Sequence, residues 1–88
     1  MIYTSRRIKK VGAFAVGLTE VEFPGSGGRE IILVPHPDNT GTIFLKDSGS
    51  VEVGLAIPNA GITIVAATFD ERRFLSDTAA QSMTYAIL

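Results

Sequence analysis

The chain contains no cysteine and no tryptophan, one histidine and two tyrosines in 88 residues. Without cysteine there are no disulfides and no thiolate metal sites, and one imidazole cannot build an all-histidine centre. No apolar run reaches the roughly 18 residues that a membrane-spanning helix needs. Residues 11–18 are apolar and follow basic residues, but the run is short. No small-residue cleavage site follows it before Glu20-Val21-Glu22, so it does not read as a signal peptide.

Charge is scarce and unevenly placed. Net charge is −1, yet residues 1–10 hold Arg6, Arg7, Lys9 and Lys10 with no acid, leaving Arg29, Lys46, Arg72 and Arg73 against all nine acids. A basic arm on a mildly acidic body suits contact with an acidic surface. Charges that keep an edge strand soluble explain it equally well. No aromatic residues interleave the arm for base stacking, which argues against nucleic acid.

What the chain has in plenty is apolar residues: 45% of the total, with a mean hydropathy of +0.28. A domain this small buries only about 60–65% of its unfolded surface. Surplus apolar surface therefore suggests either a well-filled core or contact with other chains. The length implies one domain, divided here into a basic arm or edge strand over residues 1–10 and a single β-sandwich over 11–88.

The stretch 28–64 sets the fold class. Apolar runs at 30–35, 42–46, 51–57 and 62–69 are separated by Asp38-Asn39-Thr40-Gly41, Asp47-Ser48-Gly49-Ser50 and Pro58-Asn59-Ala60-Gly61. Short runs between such turns predict antiparallel strands. In 30–35, Ile31 and Leu33 fall on one face and Ile32 and Val34 on the other, so the strand is expected to be covered on both sides. The cleanest alternation is Val51, Val53, Leu55 and Ile57 on one face. Residues 10–18 read as a strand or loop, because Gly12 and Gly17 disfavour a helix by about 2 kcal/mol together. Residues 18–23 alternate, with Thr19, Val21 and Phe23 on one face and Glu20 and Glu22 on the other. The polar run 70–78 predicts one helical turn capped by Asp70 or an exposed hairpin end. Residues 79–88 close the chain as a strand with Met83, Tyr85 and Ile87 on one face, held in the sheet to its last residues. About eight short strands in all predict a small antiparallel, jelly-roll-like β-sandwich.

Candidate chemistry is thin. Glu20 and Glu22 stand roughly 7 Å apart on one strand face, which suits a glycosidase pair but equally an exposed charged face. His36 beside Asp38 could tune a base for Ser48 or Ser50, yet no strained elbow activates either serine. Asp38, Asn39, Asp47 and Asp77 are loop oxygen donors without calcium-loop spacing. Pro24-Gly25-Ser26-Gly27-Gly28 leads into a strand, not the helix that an anion loop requires. Arg72 and Arg73 suit either an interface or local ion pairs with Asp70 and Glu71. No catalytic constellation, metal site or cofactor is expected.

The chain from Arg29 onward resembles small β-sandwich proteins of tailed-bacteriophage virions. An arginine opens an apolar strand, Arg29-Glu30-Ile31-Ile32-Leu33. A turn with Asn39 and Gly41 follows, then Thr42-Ile43-Phe44-Leu45-Lys46-Asp47, then Gly54-Leu55-Ala56-Ile57-Pro58-Asn59-Ala60-Gly61-Ile62-Thr63-Ile64. Met83-Thr84-Tyr85-Ala86-Ile87-Leu88 ends the pattern, which spans about 60 of the 88 residues. Related chains tend to carry Asn where this strand ends; this one has Pro35-His36-Pro37 before Asn39, a longer and stiffer loop.

The resemblance implies a structural protein that decorates and cements the capsid from its outer surface. Its partners would be the major capsid protein and itself, as a homo-oligomer, commonly a trimer. Arg6, Arg7, Lys9 and Lys10 would contact the capsid, and Ile32, Val34, Arg72 and Arg73 would serve oligomer contacts. The second expectation is a receptor- or carbohydrate-binding module of a collar, fibre or baseplate, which calls for exposed aromatic side chains.

Overall fold

A computed structural model describes residues 8–25, 30–52, 54–65 and 71–88. Among them are seven strands: β1 (Lys10–Val16), β2 (Glu30–Pro35), β3 (Ile43–Asp47), β4 (Leu55–Ile57), β5 (Ile62–Val65), β6 (Arg72–Ser76) and β7 (Gln81–Ile87). They form two antiparallel sheets, ordered β1-β7-β2-β5 and β4-β3-β6, and none of the described residues is helical. The predicted all-β sandwich is what the chain adopts.

Period-two side-chain alternation explains the layering. Along β7, Gln81, Met83, Tyr85 and Ile87 are buried and alternate with half-buried Ser82, Thr84 and Ala86. Along β2, Ile31, Leu33 and Pro35 are buried, and the register sets them opposite Ile87, Tyr85 and Met83. The facing sheet contributes Ile43, Ile57 and Phe74, while Val16 and Phe23 complete the core. Phe14 meets Phe74 edge-on with ring centroids 5.2 Å apart, and Phe23 meets Tyr85 likewise at 4.9 Å. Gly12 is needed for close approach, because a Cβ there would lie 2.6 Å from the Tyr85 hydroxyl.

Residues 18–23 keep only one bridge of the expected strand. Val21 pairs with Phe74 through reciprocal backbone hydrogen bonds of 2.9 Å. With Val21 counted as an eighth, minimal strand, the antiparallel pairs nest: β1 with β7, Val21 with β6, β2 with β5, and β3 with β4. A long hairpin folded in this way and curled until β2 meets β7 and β3 meets β6 is the wrapping of a jelly roll.

Two expectations fail. The stripe from Val51 to Ile57 shrinks to β4, with Val51 98% and Leu55 63% exposed; Val53 lies outside the described residues. Lys46 is the reason: its Nζ donates to the Ser50 carbonyl at 2.7 Å and draws the loop around itself. Gly54 then turns the chain at φ +95°, where a Cβ would stand 2.3 Å from the Leu45 carbonyl oxygen. The polar run 70–78 holds β6, neither a helical turn nor a hairpin end, with Phe74 fully buried. Asp70, its proposed cap, lies outside the described residues, as do Arg6, Arg7, Arg29, residues 26–28 of the glycine-rich turn and residues 66–69 of the run after the Pro58 turn.

Other expectations hold. Gly61 N–H donates to Pro58 O at 2.9 Å, closing the predicted turn. Leu88 N–H donates to Glu30 O at 2.9 Å, so the last residues are held in the sheet.

Candidate functional site

The outer face of the β1-β7-β2-β5 sheet is the most distinctive surface. Parity puts Val11, Ala13 and Ala15 of β1, Ser82, Thr84 and Ala86 of β7, Ile32 and Val34 of β2, and Thr63 and Val65 of β5 on it. The rows are Val11–Ala86–Ile32–Thr63 and Ala13–Thr84–Val34. No ionisable side chain interrupts them; Glu30, opposite Val65, stands at one end of the face. Val11 and Val65 are 69% and 71% exposed. Thr84 donates its hydroxyl to the Val34 carbonyl at 2.6 Å, so even this polar residue is satisfied within the sheet.

The face has relief. Half-buried Ile32 and Val34 line, with Val11, Thr84, Tyr85 and Ala86, a depression of about 150 Å³. The sequence pattern identifies Ile32 and Val34 as a second apolar face; both are half-buried, with Gly61 of the Pro58 turn close beside the Val34 side chain. Sequence reasoning missed Val11, Ala13 and Ala86, because small residues on separate strands become one surface only through register.

The opposite outer face, on the β4-β3-β6 sheet, carries the apolar row Ala56–Phe44–Leu75 beside a charged row that is internally neutralised. Lys46 and Arg73 are cross-strand neighbours, a like-charge pairing that is unfavourable alone. The segment around Val21 corrects it. Glu20 accepts from Lys46 Nζ, and Glu22 pairs with Arg73 at 3.2 Å. The Lys46 hydrogen bond, with a second from Gly49 N–H, holds the Glu20 carboxyl below its ordinary pKa. Glu20 and Glu22 are therefore partners of two cations rather than an acid/base pair. Arg72 pairs with Asp47 at 3.0 Å. The four predicted interface residues thus divide between layers: Ile32 and Val34 on one sheet, Arg72 and Arg73 on the other.

The predicted arm is described only from Ile8. Lys9 and Lys10 are exposed, with Lys9 N–H bonded to Ile87 O and Lys10 opening the edge strand β1.

His36 and the serines are not brought together. His36 lies in the loop after β2, where its Nδ1 accepts from Asp38 N–H at 3.0 Å, whereas Ser48 and Ser50 follow β3 at the other end of the sandwich. The 36–42 loop is instead clamped structurally. Asn39 exchanges hydrogen bonds with the Ser82 backbone at 2.7 and 2.9 Å, and buried Gln81 accepts from Thr40 and Gly41 N–H at 2.8 and 2.9 Å. Among the described residues, no three His, Asp or Glu side chains gather as metal ligands. Phe14, Phe23, Phe74 and Tyr85 pack against one another inside the sandwich, so these rings offer no stacking platform for a sugar.

No family model, curated protein or solved structure matches the chain.

Proposed function

We propose that this protein is a structural module of a tailed-bacteriophage virion, decorating and cementing the capsid shell as a homo-oligomer bound across capsomers. The observation that carries this reading is the uncharged apolar outer face around Ile32, Val34, Val11 and Ala86. A contiguous uncharged patch of this kind is a place where another protein surface can pack. The basic residues Arg6, Arg7, Lys9 and Lys10 supply a second contact, suited to an acidic shell. Jelly rolls occur among viral capsid proteins and also among lectins, so the fold supports the reading only by analogy. The carbohydrate-binding alternative has a single half-buried ring on an outer face among the described residues, Phe44, and is less well supported.

Co-sedimentation with capsid shells lacking this protein tests the reading. Wild-type protein should pellet with the shells and dissociate as salt rises. The R6Q/R7Q/K9Q/K10Q variant should bind more weakly and with a shallower salt dependence. Failure of the folded wild-type protein to bind shells at low salt refutes the proposal.

A further inference from the structure

We infer that the open edge of β1 pairs with the β1 edge of a second copy of this chain, antiparallel and centred on Ala13, so that two four-stranded sheets join into one. The contact uses backbone groups at the edge of the sheet and does not depend on the virion reading.

Hydrogen-bond parity shows which groups are on offer. Leu88 N–H donates to Glu30 O and His36 N–H to Ser82 O, so the even-numbered residues of β7 turn their backbone groups toward β2. Gln81, Met83, Tyr85 and Ile87 turn theirs toward β1, where their partners are Val16, Phe14, Gly12 and Lys10. The N–H and C=O groups of Val11, Ala13 and Ala15 therefore point away from β7. Among the described residues, β1 pairs with no other strand.

Natural sheets blunt such edges, and the other three edges of this sandwich are blunted. β4 has three residues and runs into Pro58, and β5 has four. β6 is covered, since Val21 exchanges bonds with Phe74 and Gly17 O accepts from Ser76 N–H at 2.8 Å. β1 has seven residues, and positions 11–16 hold no proline and no charge. Val11, Ala13 and Ala15 are all exposed.

Charge and register select a second copy. Parallel pairing in register sets Lys10 beside Lys10, whereas antiparallel pairing centred on Ala13 sets Lys10 opposite uncharged Val16. Val11 then faces Ala15, and Ala13 faces its own counterpart. All three residues exchange both backbone groups across a two-fold axis perpendicular to the sheet, an isologous contact. Phe14, whose ring packs on Phe74 in the core, falls opposite Gly12, which has no side chain to obstruct it. Moving the centre by one residue fails in either direction. A centre at Gly12 sets Ala15 against Lys9, whose N–H is held by Ile87 O; a centre at Phe14 sets Val11 against Gly17, whose carbonyl is held by Ser76. The contact is a single strand about 20 Å long, so the dimer is weak and concentration-dependent.

In sedimentation equilibrium, the weight-average mass should rise with concentration from 9.4 kDa toward twice that value, with half-conversion between about 10 μM and 1 mM. Exchange of the Val11, Ala13 and Ala15 amide hydrogens should slow in proportion to the monomer that disappears, while that of Gly12 and Phe14, bonded to β7, should not respond to concentration. Ala13→Pro removes the central outward N–H without touching a bond to β7, a position where an edge strand accepts proline. It should fold, by circular dichroism, and stay monomeric where the wild type is dimeric. Register is tested at two exposed positions, which serve equally if Ala13→Pro does not fold. V11K/A15K sets ammonium groups opposite one another and should be monomeric; V11K/A15E sets each introduced ammonium opposite an introduced carboxylate and should dimerise. A wild-type mass that stays monomeric to 1 mM or tends to three copies, a folded Ala13→Pro chain that dimerises like the wild type, or equal association of the two charge variants overturns the inference. Dimerisation without shell binding sinks only the virion proposal, and shell binding by a protein that stays monomeric sinks only this inference.

Discussion

Phe74→Ala is the sharpest test of the fold, because residue 74 sits in a stretch whose sequence, Asp70-Glu71-Arg72-Arg73-Phe74-Leu75-Ser76-Asp77, reads as polar surface. The Phe74 ring is fully buried, and its centroid lies 5.2 Å from that of Phe14 and 6.3 Å from that of Phe23. Truncation removes the ring's transfer free energy and leaves a cavity beneath two aromatic neighbours, a loss of about 3–5 kcal/mol. An 88-residue domain has roughly 4–13 kcal/mol of total stability, so the variant should sit near its unfolding threshold. With a urea m-value of about 1–1.5 kcal/mol/M, the midpoint should fall by about 2 M or more. Arg72→Ala is the control: its guanidinium pairs with Asp47 at 3.0 Å, both side chains being exposed, and such a pair contributes about 0–1 kcal/mol. Were residues 71–76 an exposed loop, the two substitutions would cost about the same, within about 0.5 kcal/mol. A Phe74→Ala loss below 1 kcal/mol at unchanged m-value would refute the placement of β6 in the core.

Three further outcomes are expected. Gly54→Ala should cost at least about 2 kcal/mol, since it combines positive φ with a backbone oxygen 2.3 Å from the new Cβ, whereas Gly49→Ala, at φ +71° with open space around it, should cost only about 1–2 kcal/mol; equal losses in urea melts would contradict the close approach at Leu45. Glu20→Gln should matter most at neutral pH: the native carboxyl pKa is lowered, so its stabilisation is present above the ordinary value of 4.5 and is lost as pH falls through the lowered one. The gap between wild-type and variant urea midpoints should therefore close on going from pH 7 to pH 3, and a constant gap would contradict the Lys46 pairing. Gln81→Leu should cost about 1–3 kcal/mol by leaving the Thr40 and Gly41 amides without their acceptor, and hydrogen exchange at those two amides should accelerate while that of β2 does not.

The sequence made β2 and β7 legible because each alternates inside its own length, and the turn at Pro58 because proline and glycine dictate it locally. β6 was not legible. Only Phe74 and Leu75 are apolar there, on opposite faces, and its pairing sets Arg73 beside Lys46. That arrangement is tolerable only because Glu20 and Glu22 arrive from a segment some fifty residues earlier. The same ammonium group misdirects the reading of residues 51–57. Their alternation fits a strand, but Lys46 takes the Ser50 carbonyl and leaves Val51 in solvent. At the candidate surface, Ile32 and Val34 stood out as a second apolar face. Its other half was invisible, because alanine and threonine announce a face only once register aligns them.

The two outer faces differ in what an approaching protein would have to displace. On the β4-β3-β6 sheet, a partner must compete with Glu20–Lys46 and Glu22–Arg73, whose charges already have counterparts. On the β1-β7-β2-β5 sheet, the rows through Ile32 and Val34 hold no charged side chain for it to compete with. A face of about four strands by five residues, roughly 300 Å² in plan, lies well below the roughly 800 Å² that each partner buries in a standard interface. One such contact is therefore weak in solution. A surface of this kind becomes effective where copies are held at high local concentration, as on a repeating shell, because each further contact then avoids most of the association cost. The small size of the face is thus compatible with work as one of many copies on an array and poorly matched to that of a tight binder acting alone.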